Sequence, residues 1–296
     1  MSSAPEPFTH AIASRDGLFL AHRSGFARVA EGLFFGLTLR GDDLYCFEAG
    51  DHPWVPSRLG RIVRFRRTAE GVGEREILVE GLDNGCHQID FFMGSCFVVD
   101  TYNQQILEYD RDWRLSGTHF PVQPVRYGEA GPDYFHVNSF LGRGDSIFLL
   151  LHNGRLERPS EILEVDRAFR ERRRIPLLDM ACHDIVMLED DRFLVCNSLH
   201  GSLIDVRETV VKIDALMTRG LSVGVDEIVV GSSLFGHRPV RELIPGFVTF
   251  LDRSYRRIAR HHLPAAPTQI RRLDGADLSL SSPRDGADLG ASSPPA

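Results

Sequence analysis

Lysine is almost absent: Lys212 stands alone among 34 basic residues. An amine nucleophile of the Schiff-base kind would have that single candidate, placed mid-strand, so imine chemistry is set aside. The five cysteines are an odd number, include no Cys-x-x-Cys pair and sit mostly within apolar runs. That pattern excludes a disulfide framework and fits buried, reduced thiols. No hydrophobic run approaches the roughly 18 to 20 residues that a bilayer span needs, and the opening MSSAPEPFTHAIASRDG has no basic stretch leading into an apolar one. Positive charge is short as well, with 34 basic against 41 acidic residues and a formal net charge of −7. No surplus is left to neutralise phosphates, which argues against nucleic acid as a partner. The expectation is a cytoplasmic protein that meets neither membrane nor nucleic acid and acts on a small molecule.

What the chain does contain is a repeat. Three segments begin at His87, His136 and His183 and share one order of parts: an apolar start, a short polar turn, a strand rich in β-branched and aromatic residues, a loop, and a further strand ending in aspartate. Those last strands read ILEYD to Asp110, ILEVD to Asp166 and VVKID to Asp214. Two more copies lack the histidine: FGLTLRGDDLYCFEAG with GRIVRFR before the first, and RGLSVGVDEIVVGSS with GFVTFLD after the last. Alternation has period two throughout and glycines fall in the turns, which excludes helical solenoids. Five units predict an all-β fold, a five-bladed β-propeller. The fourth unit looks short of an outer strand, and the segment from Phe8 to Ala30 is available to close the ring. From Pro264 the chain turns to PAAPTQIRRLDGADLSLSSPRDGADLGASSPPA, with few large apolar residues. Residues 1–263 are therefore expected to form one propeller domain and 264–296 a disordered low-complexity tail.

The first strand of a blade is the innermost, so its opening residue lies near the axis on one face. His87, His136 and His183 hold that position in three consecutive units and should converge. One such imidazole is equally at home bonded to neighbouring backbone; three in register suit a metal. Imidazole nitrogen suits iron, zinc, copper or nickel, and three ligands leave positions open for water, substrate or dioxygen. Asp90, Asp100, Asp184 and Glu48 are the expected acceptors for the second ring nitrogens. His152, His200 and His237 fall in loops opening on the same face; each is a candidate fourth ligand, and contact with substrate is the stronger expectation. Arg219 begins the fifth unit where others have histidine, and either anchors a substrate carboxylate or pairs with Asp226. Cys86 and Cys182 precede two of the histidines, and alternation turns them toward the space between blades.

The segments VVDTYNQQILEYD and HDIVMLEDDRFLVCNS resemble repeats of bacterial propellers of the NHL and gluconolactonase-like kind, and RGLSVGVDEIVVGSS is similar to a segment of an uncharacterised bacterial propeller family. HDIVML also resembles a segment of arylsulfotransferases, which react through a histidine. The likeness covers roughly residues 35–255 and implies the fold. Gluconolactonase-like enzymes hold a divalent ion with acidic and amide groups, whereas the axial positions here are imidazoles. Carotenoid cleavage oxygenases, seven-bladed propellers holding Fe(II) with histidines from separate blades, are similar in site logic, which carries over to His87, His136 and His183. The leading expectation is a non-haem Fe(II) oxygenase or oxidoreductase acting on a small organic molecule. A zinc hydrolase or lyase on the same ligands is the alternative, and a non-catalytic propeller binding a ligand or protein is the third reading.

Overall fold

The computed structural model describes residues 6–52, 55, 57–69, 71–128, 133–188, 192–236 and 244–282. They form six antiparallel four-stranded sheets, and the inner strands pack against one another in ring order. The molecule is a six-bladed β-propeller, not the five-bladed one expected. Blade one comprises β4 (Phe34–Arg40), β5 (Asp43–Glu48), β6 (Gly60–Thr68) and β7 (Gly71–Leu82). Blade two is β8 (Gln88–Phe92), β9 (Ser95–Asp100), β10 (Gln105–Tyr109) and β11 (Leu115–His119). Blade three is β12 (Val137–Arg143), β13 (Ser146–Leu151), β14 (Glu161–Asp166) and β15 (Glu171–Pro176). Blade four is β16 (His183–Met187), β17 (Phe193–Asn197), β18 (Ser202–Ile204) and β19 (Thr209–Lys212). Blade five is β20 (Met217–Val223), β21 (Glu227–Ser233), β22 (Gly246–Asp252) and β23 (Arg257–Leu263).

The sixth blade joins the two ends of the chain. Its outer strands are β1 (His10–Ser14), β2 (Leu18–His22) and β3 (Gly25–Ala30), and its innermost strand is β24 (Pro267–Arg272). His10 pairs with Arg272 and Ile12 with Ile270. Phe8 to Ala30 thus supplies three strands, and the region expected to be disordered from Pro264 supplies the fourth. The rest of that expected tail, 283–296, lies outside the described residues. Blade four is complete too: Thr209–Lys212, read from the sequence as a third strand, is the fourth, and the third is the short β18.

Between each pair of blades lies an apolar cluster, for example Phe97, Phe140, Ile147 and Leu149 between blades two and three. Cys86 and Cys182 belong to such clusters, and all five cysteines are free and buried. The inner strands are also buried, but with polar side chains that tie each strand to the next. Gln88 acts as a short strand of its own, donating to Phe140 O at 3.0 Å and accepting from Phe140 N–H at 2.7 Å. Asn138 donates to Cys182 O at 2.9 Å, Asp184 accepts from Gly220 N–H at 2.7 Å, and Thr268 donates to Phe34 O at 2.8 Å. Each bond satisfies a group that burial would otherwise strand.

Past β24 the chain crosses the far end of the axial channel, where the inner strands finish. Leu278 N–H donates to Val223 O at 2.8 Å, Ser281 N–H to Asp90 at 2.8 Å, and Ser282 N–H to Gly142 O at 2.9 Å. The buried guanidinium of Arg143 donates to the carbonyls of Leu278 and Leu280. This segment bonds to blades two, three and five and covers that mouth. No helix among the described residues is long and apolar enough to cross a membrane.

Candidate functional site

At the opposite mouth, each blade contributes one side chain at the start of its inner strand. These are Phe35, His87, His136, His183, Arg219 and, from the end of β1 beside the start of β24, Arg15. They line a cavity of about 730 Å³. The turns leaving the second strands of the blades add Tyr102, His152, Ser198 and Phe235 to its wall. The strands are shaped for this: register shifts interrupt the starts of four inner strands, at Phe34/Leu37, Val137/Ser139, His183/Ile185 and Thr218/Leu221. Such bulges re-aim side chains next to functional sites. His136 carries φ of +58°, uncommon for a residue with a Cβ. Gln104 holds it there, its side-chain oxygen accepting from His136 N–H at 3.1 Å and from Phe135 N–H at 2.5 Å.

The four imidazoles form an arc, His87 to His136 to His152 to His183, with ring centroids 5.0, 4.8 and 5.0 Å apart. Burial is the main cause that holds all four below the ordinary histidine range, and the Arg219 guanidinium pushes every one further down. His152 is lowered to about 3. All four are neutral at pH 7, so each carries one ring proton, and its neighbours decide which nitrogen holds it. His87 Nδ1 lies 2.8 Å from the carbonyl of Gly85, which can only accept. His183 Nδ1 lies 2.8 Å from Ser198 Oγ, whose own proton goes to Thr218 O at 2.7 Å. His136 Nδ1 lies 3.2 Å from the Tyr134 hydroxyl, which donates to Thr101 O at 3.1 Å. In all three the proton sits on Nδ1 and Nε2 keeps its lone pair. His152 is the reverse: its Nδ1 accepts from Gly154 N–H at 3.1 Å, so the proton is on Nε2.

No family model matches the chain, and no curated protein matches it in sequence. Solved structures do match in shape. A chain of a nidogen/laminin complex has a TM-score of 0.65 at 9% identity, covering 91% of this chain and 99% of that one. A protein suggested to be a gluconolactonase has a TM-score of 0.55 at 8% identity, covering 90% of this chain and 85% of that one. A suggested oxidoreductase (glucose dehydrogenase) from Thermus thermophilus has a TM-score of 0.53 at 15% identity, covering 75% and 86%. At such identity the likeness shows the propeller fold and nothing finer.

The structure brings His87, His136, His183, His152 and Arg219 to one cavity. His200 lies outside its lining, mostly exposed and 2.8 Å from Asp179, and His237 lies outside the described residues. The four expected carboxylate acceptors are engaged elsewhere. Asp90 accepts from Thr38 at 2.7 Å, Asp100 from Asn103 and Gln105, Asp184 from Gly220 N–H, and Glu48 pairs with Arg61 and Arg75. A backbone carbonyl and two hydroxyls take their place at the imidazoles. Asp226 pairs with Arg272 and lies 3.7 Å from Arg23. The sequence reasoning missed Arg15, Arg155 and Tyr127, which also line the cavity; Arg155 follows His152 in the loop already singled out, and that is the signal that would have found it.

For a transition-metal ion the donor chemistry fits, since three neutral imidazoles present Nε2 lone pairs and have Nδ1 anchored. The 5.0 Å between the His87 and His136 centroids fits too, because imidazoles sharing a tetrahedral ion at about 2.1 Å have centroids about 5 Å apart. The set is not closed: among the described residues no group of three or more His, Cys, Asp or Glu side chains stands arranged to hold a metal ion.

Proposed function

We propose that the axial cavity is the active site of a metal-dependent enzyme acting on a small organic molecule, with His87, His136 and His183 as ligands through Nε2. The observation that carries this reading is the shared tautomer. Three acceptor lone pairs on side chains that line one cavity repel each other and any anion placed among them; they suit an electron-poor occupant, above all a cation. A ferrous ion, the first expectation for an all-imidazole set, would supply oxygen activation beside the bound substrate. The chain's own part is to hold the ligand nitrogens unprotonated, to fix the rings through Gly85, Tyr134 and Ser198, and to line the substrate's path with aromatic side chains.

A second reading, a zinc hydrolase or lyase on the same ligands, draws support from His152. A neutral imidazole N–H fixed toward a cavity is a donor suited to an oxygen that gains negative charge. Elemental analysis of protein purified anaerobically without chelator tests both. Near-stoichiometric iron that is lost in His87→Ala, His136→Ala and His183→Ala but retained in His152→Asn supports the first; zinc with the same pattern supports the second. Wild-type protein that takes up no ion after reconstitution with each would refute the metal centre and leave a binding propeller.

A further inference from the structure

The chain as a whole is acidic, with a formal charge of −7, yet among the described residues arginines outnumber carboxylates in the lining of its axial cavity. Arg15, Arg155 and Arg219 line it, and Glu157 is the only carboxylate in the lining among the described residues. Two of the guanidiniums share one aromatic ring: Arg15 lies 5.4 Å and Arg219 5.6 Å from the Phe35 centroid. Like charges gathered in a concave, partly desolvated site raise the local concentration of the opposite sign.

Another part of the wall is aromatic. Tyr102 stacks on Tyr127 at 4.6 Å with planes 14° apart, and Arg155 covers Tyr127 at 4.7 Å. His87 stands between the two parts, 5.8 Å from the Phe35 ring and 6.5 Å from Tyr102. A volume of about 730 Å³ is ordinary for a small-molecule site.

We infer that the substrate is an aromatic carboxylate, its anionic head held between Arg219 and Arg15 beside Phe35 and its ring packed against the edge of the Tyr102–Tyr127 stack. This rests on the cavity being the active site, as proposed above, and does not depend on which ion, if any, the imidazoles hold. An arginine pair can grip a carboxylate bidentately at a defined angle, which would set the ring at a fixed distance from the Nε2 atoms.

The test is calorimetric titration of chelator-treated protein with 3-phenylpropanoate, its neutral amide and phenyl phosphate, for wild type, Arg219→Gln and Arg15→Gln, each checked for native circular dichroism. The acid is expected to bind at least about tenfold more tightly than the amide, and either variant is expected to remove that preference. Because metal-free protein is used, binding that follows this pattern upholds the substrate class even if elemental analysis finds no ion. Equal affinity for acid and amide overturns it, as does an unchanged preference in both variants, or no binding of the acid at millimolar concentration. Phenyl phosphate bound about tenfold more tightly than the acid overturns the carboxylate in favour of a phosphate ester.

Discussion

Acid should destabilise this propeller, and the size of the effect can be worked out from its four axial histidines. In the unfolded chain they titrate near 6.5. In the folded protein all four are held lower, His152 at about 3. Below pH 6.5 the unfolded state therefore binds more protons than the folded one, so stability falls with pH. The contribution is fully present above about pH 7 and shrinks as pH drops toward the folded values. From pH 7 to pH 5.5 each imidazole contributes a loss of about 1.2 kcal/mol, or roughly 5 kcal/mol for four. Asp100 works against this. Burial raises it to about 6, so the folded state takes up its proton first and gains about 0.8 kcal/mol over the same interval. For these five groups the net loss is about 4 kcal/mol, a large share of the 5–15 kcal/mol typical of a domain; buried His10, also held low, adds to it, and Asp184, raised by burial, offsets it. Urea unfolding at pH 7.0 and 5.5 in the presence of chelator, followed by far-ultraviolet circular dichroism, measures it. His152→Asn should reduce the proton uptake on unfolding at pH 5.5 by about one. Stabilities within about 1 kcal/mol of each other at the two pH values would show that the imidazoles are solvated enough to charge in place, and would remove the basis for their fixed tautomers.

Two further outcomes are expected. An alanine Cβ at Gly154 would lie 2.6 Å from His152 Cε1 and 2.8 Å from Nδ1, so Gly154→Ala should displace that one ring; proton–nitrogen correlation spectra of the imidazoles at pH 7 should show three Nδ1–H tautomers and one Nε2–H in wild type, with only the last altered in the variant, and four alike in wild type would refute the assignment. Ending the chain after Leu273 removes Asp277, which accepts from Ser222 at 2.7 Å, and the carbonyl acceptors of buried Arg143; a loss of about 3–5 kcal/mol in urea is expected, and an unchanged midpoint would show that the crossing segment does not hold the far mouth together.

The blade pattern was legible because outer and middle strands alternate cleanly, and His87, His136 and His183 were legible because the repeat set them in register. The sixth blade was not, for a physical reason. Its innermost strand reads PTQIRR, with Ile270 as its sole large apolar residue, yet Thr268, Gln269 and Arg271 are almost wholly buried. Thr268 and Gln269 tie that strand to its neighbours through hydrogen bonds to Phe34 O and Asp184 rather than through an apolar face, so hydrophobic patterning reads it as tail. Its partners β1 to β3 were visible as a segment but lacked a first strand nearby in sequence. The same limit explains the misassigned acceptors. Asp90 and Asp184 lie close to the histidines in the alignment of repeats, but at successive depths along the axis, and each is spent on a neighbouring blade. Arg15 was hidden because it enters the ring from β1, which runs opposite to the strands that carry the other axial residues. The three-residue β18 was too short to register as a strand at all.

The ring closes between β1 and β24, and that has a consequence for how the protein is made. A ribosome releases β1 to β3 before the five intervening blades and β24 after them, so the first three strands must wait for all five blades before their inner partner exists. Bringing ends about 260 residues apart together costs on the order of 5 kcal/mol in chain entropy, and topologies with such distant pairings fold slowly. Until that step, the exposed edge of β1, which runs through Ala11, Ile12 and Ala13, is open to any other strand in the cell. Arg15 also stands apart from Arg219 until then, so the two arginines beside Phe35 meet only once β24 has been made.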